Sequence, residues 1–166
     1  TLPRLNRVAP EVVQASLLPP EGQRFDFLYG LLELSPDGRH VAFITTDDTG
    51  ARALWVRTLA ERDARMLPGT EGALFPFWSP DSRYFGYATL EGKLKKIAVA
   101  GGEPTTICNL KWARGGAWGR QDTIVFAPAP EGPLVAVPAA GGEPKPVTTL
   151  DAARNETSHR FPSFLP

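Results

Sequence analysis

Eleven residues, LSPDGRHVAFI from Leu34 to Ile44, return 44 positions later as WSPDSRYFGYA, Trp78 to Ala88. A third copy, WGRQDTIVFAP from Trp118, follows after 40 more and lacks the Pro. The first two copies spell a turn. Pro36 and Pro80 fix φ at about −65° in the second turn position, Asp37 and Asp81 can accept from nearby backbone, and Gly38 takes φ above zero freely. Ser35 and Ser79 offer hydroxyls that cap the same backbone. Behind each turn, Arg39–Phe43 and Arg83–Tyr87 carry the aromatic and β-branched residues of half-buried strands.

A second series repeats at a step of 40: LWVRTLAERDARML from Leu54, LKKIAVAGGEPTTI from Leu94 and LVAVPAAGGEPKPV from Leu134. Two independent markers with one period of about 40–45 residues, each period holding four strand-like pieces, mark a propeller blade. In the middle unit those pieces are Ala73–Trp78, Tyr84–Thr89, Lys93–Val99 and Pro104–Asn109. Helical periodicity is weak outside Pro10–Leu17, where Pro19 and Pro20 stop it.

The expected fold is therefore all-β: a β-propeller fragment of about three four-stranded antiparallel blades, roughly 25–68, 73–109 and 113–150, with flanking strands. Residues 1–10 read as a linker, 11–18 as an edge strand, Phe25–Leu34 as the first blade's inner strand, and 158–164 as one further inner strand. The ending Phe161-Pro162-Ser163-Phe164-Leu165-Pro166 runs in step with Phe75-Pro76-Phe77-Trp78-Ser79-Pro80, so the array is expected to continue past Pro166. Three blades do not readily close a ring, and unpaired terminal strands attract partners, so a homo-oligomer formed through them is expected.

Composition narrows the function. With 18 basic and 18 acidic residues, no basic field points to nucleic acid. No apolar run reaches 18 residues, so no membrane insertion by this segment is expected. One cysteine, Cys108, excludes an internal disulfide and a cysteine zinc site.

The Ser35-Pro36-Asp37-Gly38-Arg39 turn followed by Val41-Ala42-Phe43 resembles the signature of TolB-like β-propeller repeats, and Ser79-Pro80-Asp81-Ser82-Arg83 matches it with one glycine replaced. The resemblance spans about residues 12–166 and implies the fold rather than an activity. Ser16–Gly22, Gly141-Gly142-Glu143-Pro144 and Thr157–Pro162 are similar to the propeller appended to certain bacterial Ser/Thr protein kinases. That likeness implies an extracytoplasmic binding or sensor module on a larger protein. The chain itself has neither a Gly-rich phosphate loop nor a His-Arg-Asp catalytic loop.

Candidate chemistry is sparse. His40 reads as a packing residue, and neither it nor His159 has a metal-ligand spacing. Asp47-Asp48-Thr49-Gly50 reads as a solvated hairpin turn rather than a calcium loop, and Cys108 as a small buried hydrophobe. No catalytic set, metal or cofactor is expected. Phe75, Trp78, Trp112, Arg114, Trp118, His159, Arg160 and Phe161 concentrate on or beside the inner strands, where aromatics and arginines anchor recognition. Trp78, Trp118 and Phe164 share one repeat position and should pack between blades. Trp112, Arg114, His159 and Arg160 remain as candidate binding residues, for a protein, peptide or small ligand. The alternatives to a sensor module are the gating propeller of a prolyl-oligopeptidase-like peptidase and a self-assembling half-propeller.

Overall fold

A computed structural model describes residues 16–165. Among them are three antiparallel sheets, taken below as blades 1 to 3. Blade 1 holds β1 (Gln23–Phe25), β2 (Glu33–Leu34), β3 (His40–Asp47), β4 (Arg52–Thr58) and β5 (Arg65–Met66). Blade 2 holds β6 (Ala73–Trp78), β7 (Tyr84–Thr89), β8 (Lys93–Ala98) and β9 (Thr105–Asn109). Blade 3 holds β10 (Gly116–Trp118), β11 (Thr123–Phe126), β12 (Val135–Pro138) and β13 (Lys145–Pro146). From β2 onward consecutive strands within each blade pair, as hairpins joined by short turns require, and β1 also pairs with β3.

The cores lie between blades. Ala42, Ile44, Leu54 and Val56 of blade 1 pack on Trp78, Phe85 and Tyr87 of blade 2. Phe77, Leu94 and Ile107 of blade 2 meet Trp118, Ile124 and Phe126 of blade 3. Each such side chain contributes about 1.5–3 kcal/mol when fully buried, so adjacent blades hold each other. The Phe77 ring explains two glycines: a Cβ on Gly86 would lie 2.3 Å from it and one on Gly116 2.4 Å. Trp78 and Trp118 both insert between blades, as their shared repeat position requires. The Trp78 ring lies 4.0 Å from Phe85, and its Nε1–H donates to the Glu33 carbonyl at 3.0 Å. Phe164 lies over Gly119 and stays 48% exposed.

The two turns repeat in atomic detail. The Ser35 hydroxyl donates to Asp37 Oδ1 at 2.5 Å and accepts from the His40 amide at 2.9 Å. Ser79 does the same with Asp81 at 2.6 Å and Tyr84 at 2.9 Å. These bonds, with that of Ser35 leading for Asp37 and that of Ser79 for Asp81, hold both carboxyls below their ordinary range. Ser82 takes the φ of 61° that Gly38 takes at 70°, and its hydroxyl accepts from the Asp37 amide of blade 1 at 3.0 Å.

Two expectations change, and a third falls mostly outside the described residues. Phe25–Leu34 is not one strand: β1 pairs with the far end of β3 and β2 with its near end. Asp26 breaks the run, because its Oδ1 accepts from the Leu28 and Tyr29 amides and its carbonyl from Gly30. Residues 158–164 form no strand. They carry one parallel bridge, Gly132 to Ser158, and an amide bond from Phe161 to the Arg114 carbonyl, with no neighbouring strand to build a ladder. Of the edge strand at 11–18, residues 11–15 lie outside the described residues, as does the linker at 1–10, and residues 16–18 are not extended into a sheet. No helix among the described residues is long and apolar enough to cross a membrane.

Candidate functional site

Inner segments of all three blades and the C-terminal stretch meet at one cavity of about 350 Å³. Glu33, residues 76–78, 116–118 and 162–164 line it. At one side the main chain turns sharply inward: Phe75 and Phe161 both take φ 49°. The Phe75 amide donates to the Tyr29 carbonyl, and the Phe161 amide donates to the Arg114 carbonyl at 2.9 Å. Phe75 meets Tyr29 edge-on at 6.0 Å and Phe161 at 5.9 Å, so three rings from three parts of the chain form one aromatic cluster. The Tyr29 ring is held by Arg52, whose guanidinium lies 4.4 Å above it and bonds Asp26 at 2.6 Å. Burial raises the Asp26 pKa, but bonds from Arg52 and Thr46 and the Arg52 charge outweigh it, and the carboxyl sits below its ordinary value.

The four candidate binding residues gather around the loop from Pro128 to Gly132. Trp112, half-buried, donates its amide to the Pro128 carbonyl at 3.1 Å. Arg114 is half-buried, and its Nε is enclosed with no partner among the described residues. His159 lies with Nδ1 2.8 Å from the Thr148 hydroxyl and Nε2 3.2 Å from Glu156. Arg160 donates to the Pro130 carbonyl at 2.8 Å. His159 and Arg160 thus tie the C-terminal stretch to blade 3, beside the channel rather than across it.

Glu33 was not singled out by sequence. Burial lifts its carboxyl above the ordinary range. The signal was present: Glu33 stands two places before Ser35, where the other repeats put Phe77, Ala117 and Ser163. A charge at that step was the readable anomaly.

Other reactive groups have structural work. His40 lies 6.2 Å from the Trp78 ring, in the packing place expected of it. Asp47 Oδ1 accepts from the Thr49 amide at 2.8 Å and the Ala51 amide at 3.0 Å, closing a hairpin. Burial pushes the Cys108 thiol up to about 11, so it stays protonated at neutral pH. A larger hollow of about 620 Å³ lies between the turns of blades 2 and 3, shares Trp118 with the channel, and draws on two repeats rather than four.

No family model and no curated protein matches the chain. Among solved structures it is similar to the putative TolB from Agrobacterium tumefaciens, at 18% identity and TM-score 0.63, over 70% of this chain and 45% of that one. The fold is a TolB-like β-propeller. TolB from Acinetobacter baumannii matches at 16% identity and TM-score 0.57, over 76% and 34% of the two chains. Oligogalacturonate lyase from Vibrio parahaemolyticus matches at 19% and 0.54, over 75% and 40%. The chain therefore spans less than half the length of each of these structures. Such distant likeness carries the fold and no activity.

Proposed function

We propose that this chain is a non-catalytic binding module of β-propeller type, extracytoplasmic in a bacterium, within a larger protein such as a membrane Ser/Thr kinase. The kinase setting rests on the sequence resemblance of Ser16–Gly22 and Thr157–Pro162. The observation that carries the binding reading is the convergence of four inner segments on one channel with the Tyr29, Phe75 and Phe161 rings at its side. Aromatic anchors beside a concave hollow that also offers polar groups suit a peptide segment or a small ligand. Trp112, Arg114, His159 and Arg160 form the adjoining rim.

A second reading, assembly of two copies through their end faces, is favoured by one further observation. Leu31, Leu32 and Leu34 are exposed on blade 1, and Val147, Phe164 and Leu165 after blade 3.

Selection of peptides from a displayed random library, followed by calorimetry, tests the binding reading. Selected peptides should lose roughly tenfold or more in affinity against Trp112→Ala or Phe161→Ala, and little against Glu143→Gln on the outer edge. Peptides indifferent to the rim and channel substitutions, or cleaved on incubation, would contradict it.

A further inference from the structure

We infer that the channel takes a positively charged group, a guanidinium or ammonium carried by a peptide, against the Glu33 carboxylate; this rests on the channel reading above.

Placement comes first. Glu33 pairs across the sheet with Ala42, and Leu34 with Val41. Directly opposed residues share a face. Ala42 is fully buried between blades 1 and 2, whereas Leu34 on the other face is 58% exposed. The Glu33 side chain therefore faces β6 and the channel. Its own carbonyl accepts from the Trp78 indole, which fixes the backbone on which the carboxylate is mounted.

Surroundings come next. Among the residues lining this cavity, Glu33 alone is ionisable; the rest are Pro, Gly, Ala, Ser and aromatic. The ion pairs among the described residues engage other acids, on Arg24, His40, Arg52, Arg154 and His159. Glu33 is thus a half-buried carboxylate without a cation partner among the described residues. Burying a charge unpaired costs free energy, and an incoming cation offsets that cost. Phe77, Trp78 and Trp118 line the same cavity, and an aromatic face attracts a cation rather than an anion. A guanidinium can meet a carboxylate through two parallel bonds, so arginine fits better than lysine. A cavity of about 350 Å³ has room for one side chain with its flanking backbone.

Repetition sharpens the point. At the equivalent step blade 2 uses Phe77, which fills the space between Gly86 and Gly116, and blade 3 uses Ala117. Both complete neighbouring blades put an apolar residue here, and the C-terminal stretch puts the uncharged Ser163. A carboxylate there weakens the blade contact and supplies recognition instead.

The test uses two neutral-ended tripeptides, acetyl-Gly-Arg-Gly-amide and its citrulline analogue, which has nearly the same shape without the charge. The reporter is the Trp78 indole N–H in ¹H–¹⁵N spectra of the whole chain. The arginine peptide should shift that signal and bind at least tenfold more tightly than the citrulline peptide. Glu33→Gln, with a folded spectrum retained, should erase the difference. Equal affinity of the two peptides overturns the inference while leaving a binding channel in place. A preference surviving Glu33→Gln overturns the assignment to Glu33. If neither peptide moves the Trp78 signal, the inference fails, and the library-selected peptides separately decide the underlying reading. The comparison of peptides on the unmodified chain stands even if the variant does not fold.

Discussion

Phe75 and Phe161, 86 positions apart in sequence, share a φ of 49° and meet edge-to-face with ring centroids 5.9 Å apart. Each begins the same Phe-Pro step in a different repeat, and each donates its amide across to a neighbouring inner segment. The pair ties the C-terminal stretch to blade 2 across blade 3. Phe161→Ala should remove that tie: urea unfolding should show a loss of about 2 kcal/mol, below the 3–5 of a fully buried Phe because Phe161 is 63% exposed. Phe161→Gly isolates the ring from the backbone, since glycine accepts the positive φ; it should be no worse than alanine despite its smaller side chain.

Ser82 offers a cleaner separation of strain from bonding. Its φ of 61° costs a side-chain-bearing residue about 1 kcal/mol, and its hydroxyl accepts from the Asp37 amide of the preceding blade. Ser82→Ala keeps the strain and loses the bond, whereas Ser82→Gly loses both. Denaturation midpoints should place alanine about 1 kcal/mol below glycine. Equal variants would mean the backbone is relaxed at this site.

Asp26 anchors the Arg52 guanidinium that covers Tyr29, and its carboxyl is held below its ordinary value. A lowered folded-state pKa adds stability that is present above the unfolded value of about 4 and disappears as pH falls through the folded value. Asp26→Asn should cost about 2 kcal/mol at pH 7, and its deficit relative to the natural chain should shrink below about pH 4. A deficit constant from pH 7 to pH 2 would assign the effect to shape rather than charge.

Glu33 has the opposite sign. Its folded-state value is raised by burial, so ionising it weakens the folded state as pH rises above the unfolded value of about 4.3. Glu33→Gln should therefore raise the melting temperature at pH 7 and do nothing at pH 3. A variant less stable than the natural chain at pH 7 would show that the carboxylate has found a partner.

Much of this architecture could be read from the residues. The Ser-Pro-Asp turns fixed where β2 meets β3 and β6 meets β7, because proline and aspartate act through local backbone geometry. The strands of blade 2 lie within a residue of their sequence reading for the same reason. The inner edge of blade 1 was not legible. Asp26 interrupts the strand through local bonds to the Leu28 and Tyr29 amides. Its other carboxylate oxygen is held by Arg52 and Thr46, which lie far along the chain and become its partners only after folding. Residues 158–164 look like a strand by pattern, yet a strand needs a neighbour, and pattern does not supply one. Glu33 was hidden by the same limit: a single acidic residue beside a turn reads as solvated until its cross-strand partner Ala42 shows which way it faces.

The exposed apolar ends carry their own expectation. Leu34 stands where Trp78 and Trp118 insert into a preceding blade, and Leu165 is 91% exposed. In solution this chain should run as a dimer or larger species by light scattering at micromolar concentration, and Leu34→Glu should dissociate it. A monodisperse monomer for the unmodified chain would refute self-association.

Amide hydrogen exchange of the chain, free and with a library-selected peptide bound, puts the binding channel to the test most directly. Slowed exchange at Phe77, Trp78, Ala117, Trp118 and Phe164, from three separate repeats at once, is the expected result. Slowing confined to the outer strands β9 and β13, with the inner segments unchanged, would place the ligand elsewhere and contradict the channel.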